Sequence, residues 1–209
     1  MAERVPRLYL VTDHTQTAGR PLIETVAAAL RGGVDAVQLR AKDLTARELV
    51  ALGAQLRPLC DQHRARLLVN DRIDVALAVG ADGVHLPATS FSPRDARRLL
   101  GPEAWIGVST HTLAEARNAH DAGADFILFG PIFDTPSKRA FGAPVGLDAL
   151  GEVARAVPTP VVAIGGITAQ RAAAVRARGA RGIAVISAIL AAADARQAAR
   201  ALCDAGGRH

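Results

Sequence analysis

One phrase returns four times along the chain, and it restricts the fold more than any other feature. "GVDAVQL" from Gly33, "GADGVHL" from Gly80, "GADFILF" from Gly123 and "GARGIAV" from Gly179 each set a glycine and a turn before an apolar run. Each interval has room for a strand, a helix, a second strand and a second helix. The second strands are the apolar runs "LYLVT", "RLLVND", "WIGVS" and "PVVAIGG". Segments with helical periodicity follow the strands, among them "PLIETVAAALRGG", "TARELVALGAQLRPLCDQH", "TLAEARNAHDAG" and "TAQRAAAVRARGA". Eight strands thus alternate with eight helices. Strict alternation with near-continuous apolar strands calls for a parallel sheet covered by helices, and eight units close it into a (β/α)8 TIM barrel. An open doubly wound sheet is the other arrangement, but no strand leads into a G-x-G-x-x-G turn and the four-fold repeat suits a ring. No linker interrupts the pattern, so residues 1–209 read as a single (β/α)8 barrel domain.

Composition narrows the class of function. A chain of 209 residues can bury one large core, and 50% hydrophobic with 22% charged residues is a soluble globular profile. No apolar run approaches the roughly 18 residues of a membrane span, and no basic-then-apolar leader opens the chain. Cys60 and Cys203 have neither metal-like spacing nor a partner pattern, so they read as free thiols and the expected location is cytoplasmic. The net charge of +5 does not imply a nucleic-acid partner, because the basic residues are interleaved with acids and aromatics make up only 3%. Of 25 basic residues only Lys42 and Lys138 are lysines. A site that keeps lysine in an arginine-rich chain calls for a compact, mobile point charge.

Chemistry in such barrels collects at the C-terminal ends of the strands. Those ends read Thr12-Asp13, Gln38 to Lys42, Asn70-Asp71-Arg72, His85-Leu86, Ser109-Thr110-His111, Gly165-Gly166 and Ile186-Ser187. The loop "GPIFDTPSKRAFGAPVG" belongs to the same end, so both lysines fall in this set. Gln38, Arg40 and Lys42 alternate on one face, so two cations point into the barrel mouth and an anion is the expected occupant. Gly165-Gly166 permits close backbone approach, and "ISAIL" can open a short helix beside it, which together form a phosphate cup. The sixteen-residue segment from Gly130 to Val145 is long for a connection in such a fold and carries Thr135, Ser137 and Lys138, as a closing lid would. A cup and a separate cationic cluster imply two phosphate-bearing groups.

The ordered motifs "YLVTD", "VQLRAKD", "LLVNDR", "DGVHL", "GVSTHTLAEA", "GPIFDTPSK", "AIGGIT" and "GIAVISAI" resemble the thiamine phosphate synthase and thiazole tautomerase family over nearly the whole chain. The synthase branch implies joining of a hydroxymethylpyrimidine diphosphate to a thiazole phosphate, with release of diphosphate and help from Mg2+. By that resemblance Gln38 lies by the pyrimidine, while Arg40, Lys42, Asn70 and Lys138 hold the diphosphate. Asp71 binds the metal, Ser109 meets the leaving group, and Thr135 with Ser137 covers the substrates from the lid. Gly165, Gly166, Ile186 and Ser187 take the thiazole phosphate.

One departure bears on this. After "GVHL" the synthases usually read Gly-Gln and an acidic pair that supplies a second metal ligand, whereas this chain runs "PATSFSP", offering only the hydroxyls of Thr89 and Ser90. That stretch resembles the tautomerase branch, in which a histidine at the place of His111 shuttles a proton on a carboxythiazole phosphate without metal. A full set of diphosphate residues would be superfluous there, so the synthase is the first reading and the tautomerase the second. A third is a non-catalytic regulator that binds thiazole or thiamine phosphate. The sequence leaves the oligomeric state open, a homo-oligomer included.

Overall fold

The computed structural model describes residues 4–135 and 143–205. Eight parallel strands close into one barrel in chain order: β1 (Leu8–Val11), β2 (Ala36–Leu39), β3 (Arg66–Asn70), β4 (Gly83–Leu86), β5 (Trp105–Thr110), β6 (Phe126–Phe129), β7 (Val161–Ile164) and β8 (Gly182–Val185). Around them run α1 (Leu22–Arg31), α2 (Ala46–Gln62), α3 (Ile73–Ala78), α4 (Pro93–Leu100), α5 (Leu113–Asp121), α6 (Gly146–Ala156) and α7 (Ala169–Ala177). After β8 come two helices, the short one expected of "ISAIL" and the last of the outer layer. A four-residue α8 (Ser187–Leu190) precedes the surface helix α9 (Ala195–Ala205), and a 3-10 turn, His14–Gln16, follows β1. The short helix is the "ISAIL" segment expected at the phosphate cup.

Side-chain alternation divides the core in two. Leu8, Leu10, Val37, Leu39, Leu67, Val69, Ile106, Ile127 and Ile183 face outward and pack with Val26, Leu30, Leu56 and Leu150 of the helices. The opposite parity fills the barrel with Tyr9, Ala36, Leu68, Phe126, Leu128, Val162 and Ala184. Tyr9 meets Phe126 edge-on at 5.8 Å. This plug closes the barrel from below and makes its upper mouth a bounded chamber.

The recurring Gly-x-Asp phrase has a mechanical use. Asp35, Asp82 and Asp125 stand just before their strands and accept backbone N–H groups from the preceding strand: Leu8 at 2.9 Å, Leu67 at 2.8 Å and Ile106 at 2.8 Å. Each carboxylate is also paired with arginine, through Arg7, Arg57 with Arg66, and Arg97. In the fourth copy Arg181 takes the aspartate's place. Helix starts are fixed locally: Thr45 and Glu48 form a capping box on α2, and Ser92 and Thr112 cap α4 and α5. These devices set the register that carries every site residue to the same end.

Candidate active site

The chamber at the C-terminal ends of the strands has a volume of about 310 Å3. Gln38, Arg40, Lys42, Asn70, Ser109, His111, Thr135, Gly165, Gly166, Ile186 and Ser187, all singled out in the sequence, line it together. Asp71 does not; it is exposed at the rim. Ser137 and Lys138 lie outside the described residues.

One wall is cationic. Gln38 continues the inward face of β2, and its amide donates to the Tyr9 hydroxyl at 3.0 Å, which burial holds in its protonated form. Beyond the strand, Arg40 N–H donates to Thr12 Oγ1 at 2.8 Å, and that hydroxyl donates back to Arg40 O at 3.2 Å. This reciprocal pair ties the ends of β1 and β2 and fixes where the guanidinium and Lys42 emerge. Asp13, next along β1, also lines the chamber with Gln16. Burial pushes its carboxyl up, but hydrogen bonds from the Thr15 side chain, Gln16 and the Thr15 backbone, with the Arg40 charge, outweigh that and hold it below the usual range. Asp13 is therefore an ionised neighbour of Arg40.

The far wall is built from backbone. Gly165 and Gly166 have φ of 101° and 63°, and a Cβ on Gly166 would stand 2.8 Å from Asp134 O and from Phe133 Cβ. Glycine is thus required both for the left-handed turn and for packing of the loop base against it. That base continues the pairing of β6 with β7: Ile132 N–H donates to Ile164 O at 2.8 Å and Phe133 N–H to Gly165 O at 3.1 Å. Arg171 donates to Gly166 O at 2.8 Å and stacks 4.6 Å over the Phe133 ring. Beside the turn, Ile186, Ser187 and Ala188 at the start of α8 face the chamber. Arg20 holds the other end of α8, donating to Leu190 O and Ala193 O at 2.8 Å each, where a cation also complements the helix dipole.

The floor carries a residue without a role in the sequence reading. His85 is 2% exposed, and its Nε2 lies 2.8 Å from Ser109 Oγ. Burial, with a contribution from Arg40, lowers its pKa to about 3, so the ring is neutral. The signal was present in the strand parity that selected Gln38 and Ser109, since His85 is the inward residue near the end of β4. His111 stands at the rim, with Nδ1 hydrogen-bonded to Gly130 O and its backbone N–H donating to Glu115 at 2.6 Å.

Asp71 occupies the rim after β3 with φ of 65°, a conformation aspartate tolerates better than most residues. Its N–H donates to His85 O at 2.9 Å, and its carboxylate accepts from the hydroxyl of Ser90. The fourth loop therefore reaches Asp71 with a neutral oxygen. Among the described residues no group of three or more His, Cys, Asp or Glu could cage a metal. One carboxylate with one hydroxyl fits Mg2+, which usually takes one or two carboxylates and completes its shell with water and substrate phosphate.

The chain is similar to known proteins over nearly its whole length. The family model described as thiamine monophosphate synthase matches residues 8–189. The thiamine-phosphate synthase of Roseiflexus castenholzii is 49% identical over 197 residues, covering 94% of this chain and 86% of the relative. That of Moorella thermoacetica is 49% identical over 195 residues, covering 93% of each. The solved thiamine phosphate pyrophosphorylase from Pyrococcus furiosus superposes with a TM-score of 0.88 at 38% identity, over 97% of this chain and 96% of that one. No described helix is long and apolar enough to cross a membrane.

Proposed function

The chain belongs to the thiamine monophosphate synthase family, and we propose that it couples hydroxymethylpyrimidine diphosphate with thiazole phosphate to give thiamine phosphate and diphosphate. The observation that carries this reading is the placement of Arg40 and Lys42 on one part of the chamber wall and of the Gly165-Gly166 turn with the start of α8 on another, which we read as two separate anion sites. A single phosphate ligand would need only one of them. The tautomerase and the non-catalytic regulator gain no support from the relatives, whose names are those of synthases.

In this reading Gln38 orients the pyrimidine, and Arg40, Lys42, Asn70, Ser109 and Lys138 hold its diphosphate. The bond from the pyrimidine methylene carbon to the diphosphate oxygen breaks, with the electron pair staying on oxygen. Charge then builds where the cations and donors are already placed, so they stabilise the leaving group without reorganising. The thiazole nitrogen, held at the right distance by its phosphate on Gly166, Ile186 and Ser187, supplies the pair for the new carbon–nitrogen bond. The loop bearing Thr135 and Ser137 keeps water from the cation formed between these events. Asp71 with Ser90 would hold Mg2+ at the rim, and the ion would supply Lewis-acid stabilisation of the leaving diphosphate. Two free thiols, Cys60 buried and Cys203 half-buried, accord with work in the cytoplasm. Incubating the protein with both substrates and Mg2+ and following thiamine phosphate and diphosphate tests the reading. Equimolar appearance of the two products supports it, and their absence overturns it.

A further inference from the structure

We propose that His85 is a positioning residue whose Nε2–H donates to Ser109 Oγ, so that the serine's own proton is aimed into the chamber as the donor that meets the departing diphosphate. The inference rests on the synthase reading and adds a direction to one hydrogen bond in it.

Two neutral arrangements are open to a histidine and a serine 2.8 Å apart. In one, Nε2 accepts the serine proton, which leaves Oγ presenting only lone pairs to the chamber. In the other, Nε2–H donates and the serine proton is free. The surroundings of Nδ1 choose between them. That nitrogen is fully buried and has no hydrogen-bond partner. His85 is paired with Gly107 across β4 and β5, and a Cβ on Gly107 would stand 2.8 Å from Nδ1. The nitrogen therefore looks at a Cα hydrogen of Gly107. An N–H directed there would be a desolvated donor with nothing to bind, which is costly, whereas a bare lone pair against a C–H group is tolerated. The rings of Tyr9 and Phe126, each centred 6.0 Å away, pack on the histidine, and the Tyr9 hydroxyl already accepts from Gln38. An imidazolium would carry that same unpartnered N–H on Nδ1 and is disfavoured for the same reason.

The proton belongs on Nε2. Ser109 Oγ then accepts from below and donates upward, and as the carbon–oxygen bond breaks its O–H strengthens a hydrogen bond to the diphosphate oxygen without transferring the proton. The reversed pair would set lone pairs against a growing negative charge. Gly107 is part of the device, since any side chain there would displace the ring.

The tautomer can be read directly. The full chain labelled with 15N-histidine is examined by two-bond proton–nitrogen correlation near neutral pH, with His85 assigned by its loss in His85→Gln. A protonated Nε2 with a bare Nδ1 is expected; a protonated Nδ1 or an imidazolium overturns the proposal. Single-turnover coupling supplies the functional arm. His85→Phe and Ser109→Ala should each slow the chemical step by about 10²–10³-fold with KM little changed. The double variant should be no slower than either, and His85→Gln, which keeps an amide N–H donor, should recover most of the rate. Additive losses, or a His85→Phe protein of undiminished rate, also overturn it. If His85→Phe does not fold, the wild-type spectrum still decides. Wild-type inactivity would sink the synthase reading instead, and the spectrum would stand apart from it.

Discussion

Replacing Ser90 by aspartate should tighten the metal requirement and weaken the metal-free protein, and both effects follow from one contact. The Ser90 hydroxyl donates to the Asp71 carboxylate, so a carboxylate at position 90 would place two anions about 4 Å apart. At that separation they repel by about 1 kcal/mol in water-like surroundings and about 4 kcal/mol at an effective dielectric of 20. Asp71 is exposed, so the lower figure applies, and without metal Ser90→Asp should lose about 2–4 °C in Tm. The same added charge attracts a divalent cation twice as strongly, by about 2 kcal/mol, which lowers the half-saturating Mg2+ concentration by tenfold or more. Initial rates of thiamine phosphate formation across a Mg2+ series at low ionic strength measure the second effect, and thermal unfolding with and without Mg2+ measures the first. Screening weakens both at high salt. A fall in Tm with no change in the Mg2+ requirement would mean that the fourth loop takes no part in holding the metal, and the reasoning from the Asp71–Ser90 contact would fail.

Lys42→Ala should weaken inorganic diphosphate binding by about 10–100-fold, the worth of a charge-assisted hydrogen bond, while changing stability by no more than about 0.5 kcal/mol because the side chain is exposed; calorimetry and chemical denaturation check the two halves. Gly166→Val should abolish thiazole phosphate binding, since a β-branched residue at φ of 63° is strained and its Cβ would strike the Phe133–Asp134 backbone region; unchanged affinity would remove the cup from β7 and β8. His85 makes stability pH-dependent. Its pKa falls from 6.5 in the unfolded chain to about 3 in the native one, so between those values only the unfolded state takes up the proton. Its contribution is intact above pH 6.5 and declines on acidification by about 1.4 kcal/mol per pH unit until the native ring also protonates near pH 3. Urea titrations of wild type and His85→Gln should diverge in that sense, and parallel curves would contradict it.

The barrel was legible because its information is periodic. Apolar runs at regular intervals specify parallel strands, and the alternation of Gln38, Arg40 and Lys42 carries directly into the chamber wall. The aspartates of the Gly-x-Asp repeat were visible as a pattern but not as clips, because their partners are backbone N–H groups of the preceding strand, far away in sequence. His85 lay in plain view at a strand end, yet its importance comes from the neighbours that bury it, and no sequence window shows Gly107 beneath its Nδ1. Asp13 acquires its character from Arg40 across two strands and from its own loop. The sequence marks Gly165-Gly166 for close approach of a ligand, whereas the contact the structure shows is with the base of the long loop, which both glycines admit. Asp71 was placed correctly at the strand end, but its position at the rim, turned toward Ser90, depends on a single left-handed residue.

The most direct test of the whole account is a crystal structure of the protein with thiamine phosphate, diphosphate and Mg2+. The ester phosphate should lie against the Gly166 turn and the Ser187 end of α8, the diphosphate against Arg40, Lys42 and Asn70, the metal on Asp71, and the pyrimidine over Gln38 between them. Both anions gathered on one wall, or density for either outside the chamber, would contradict it.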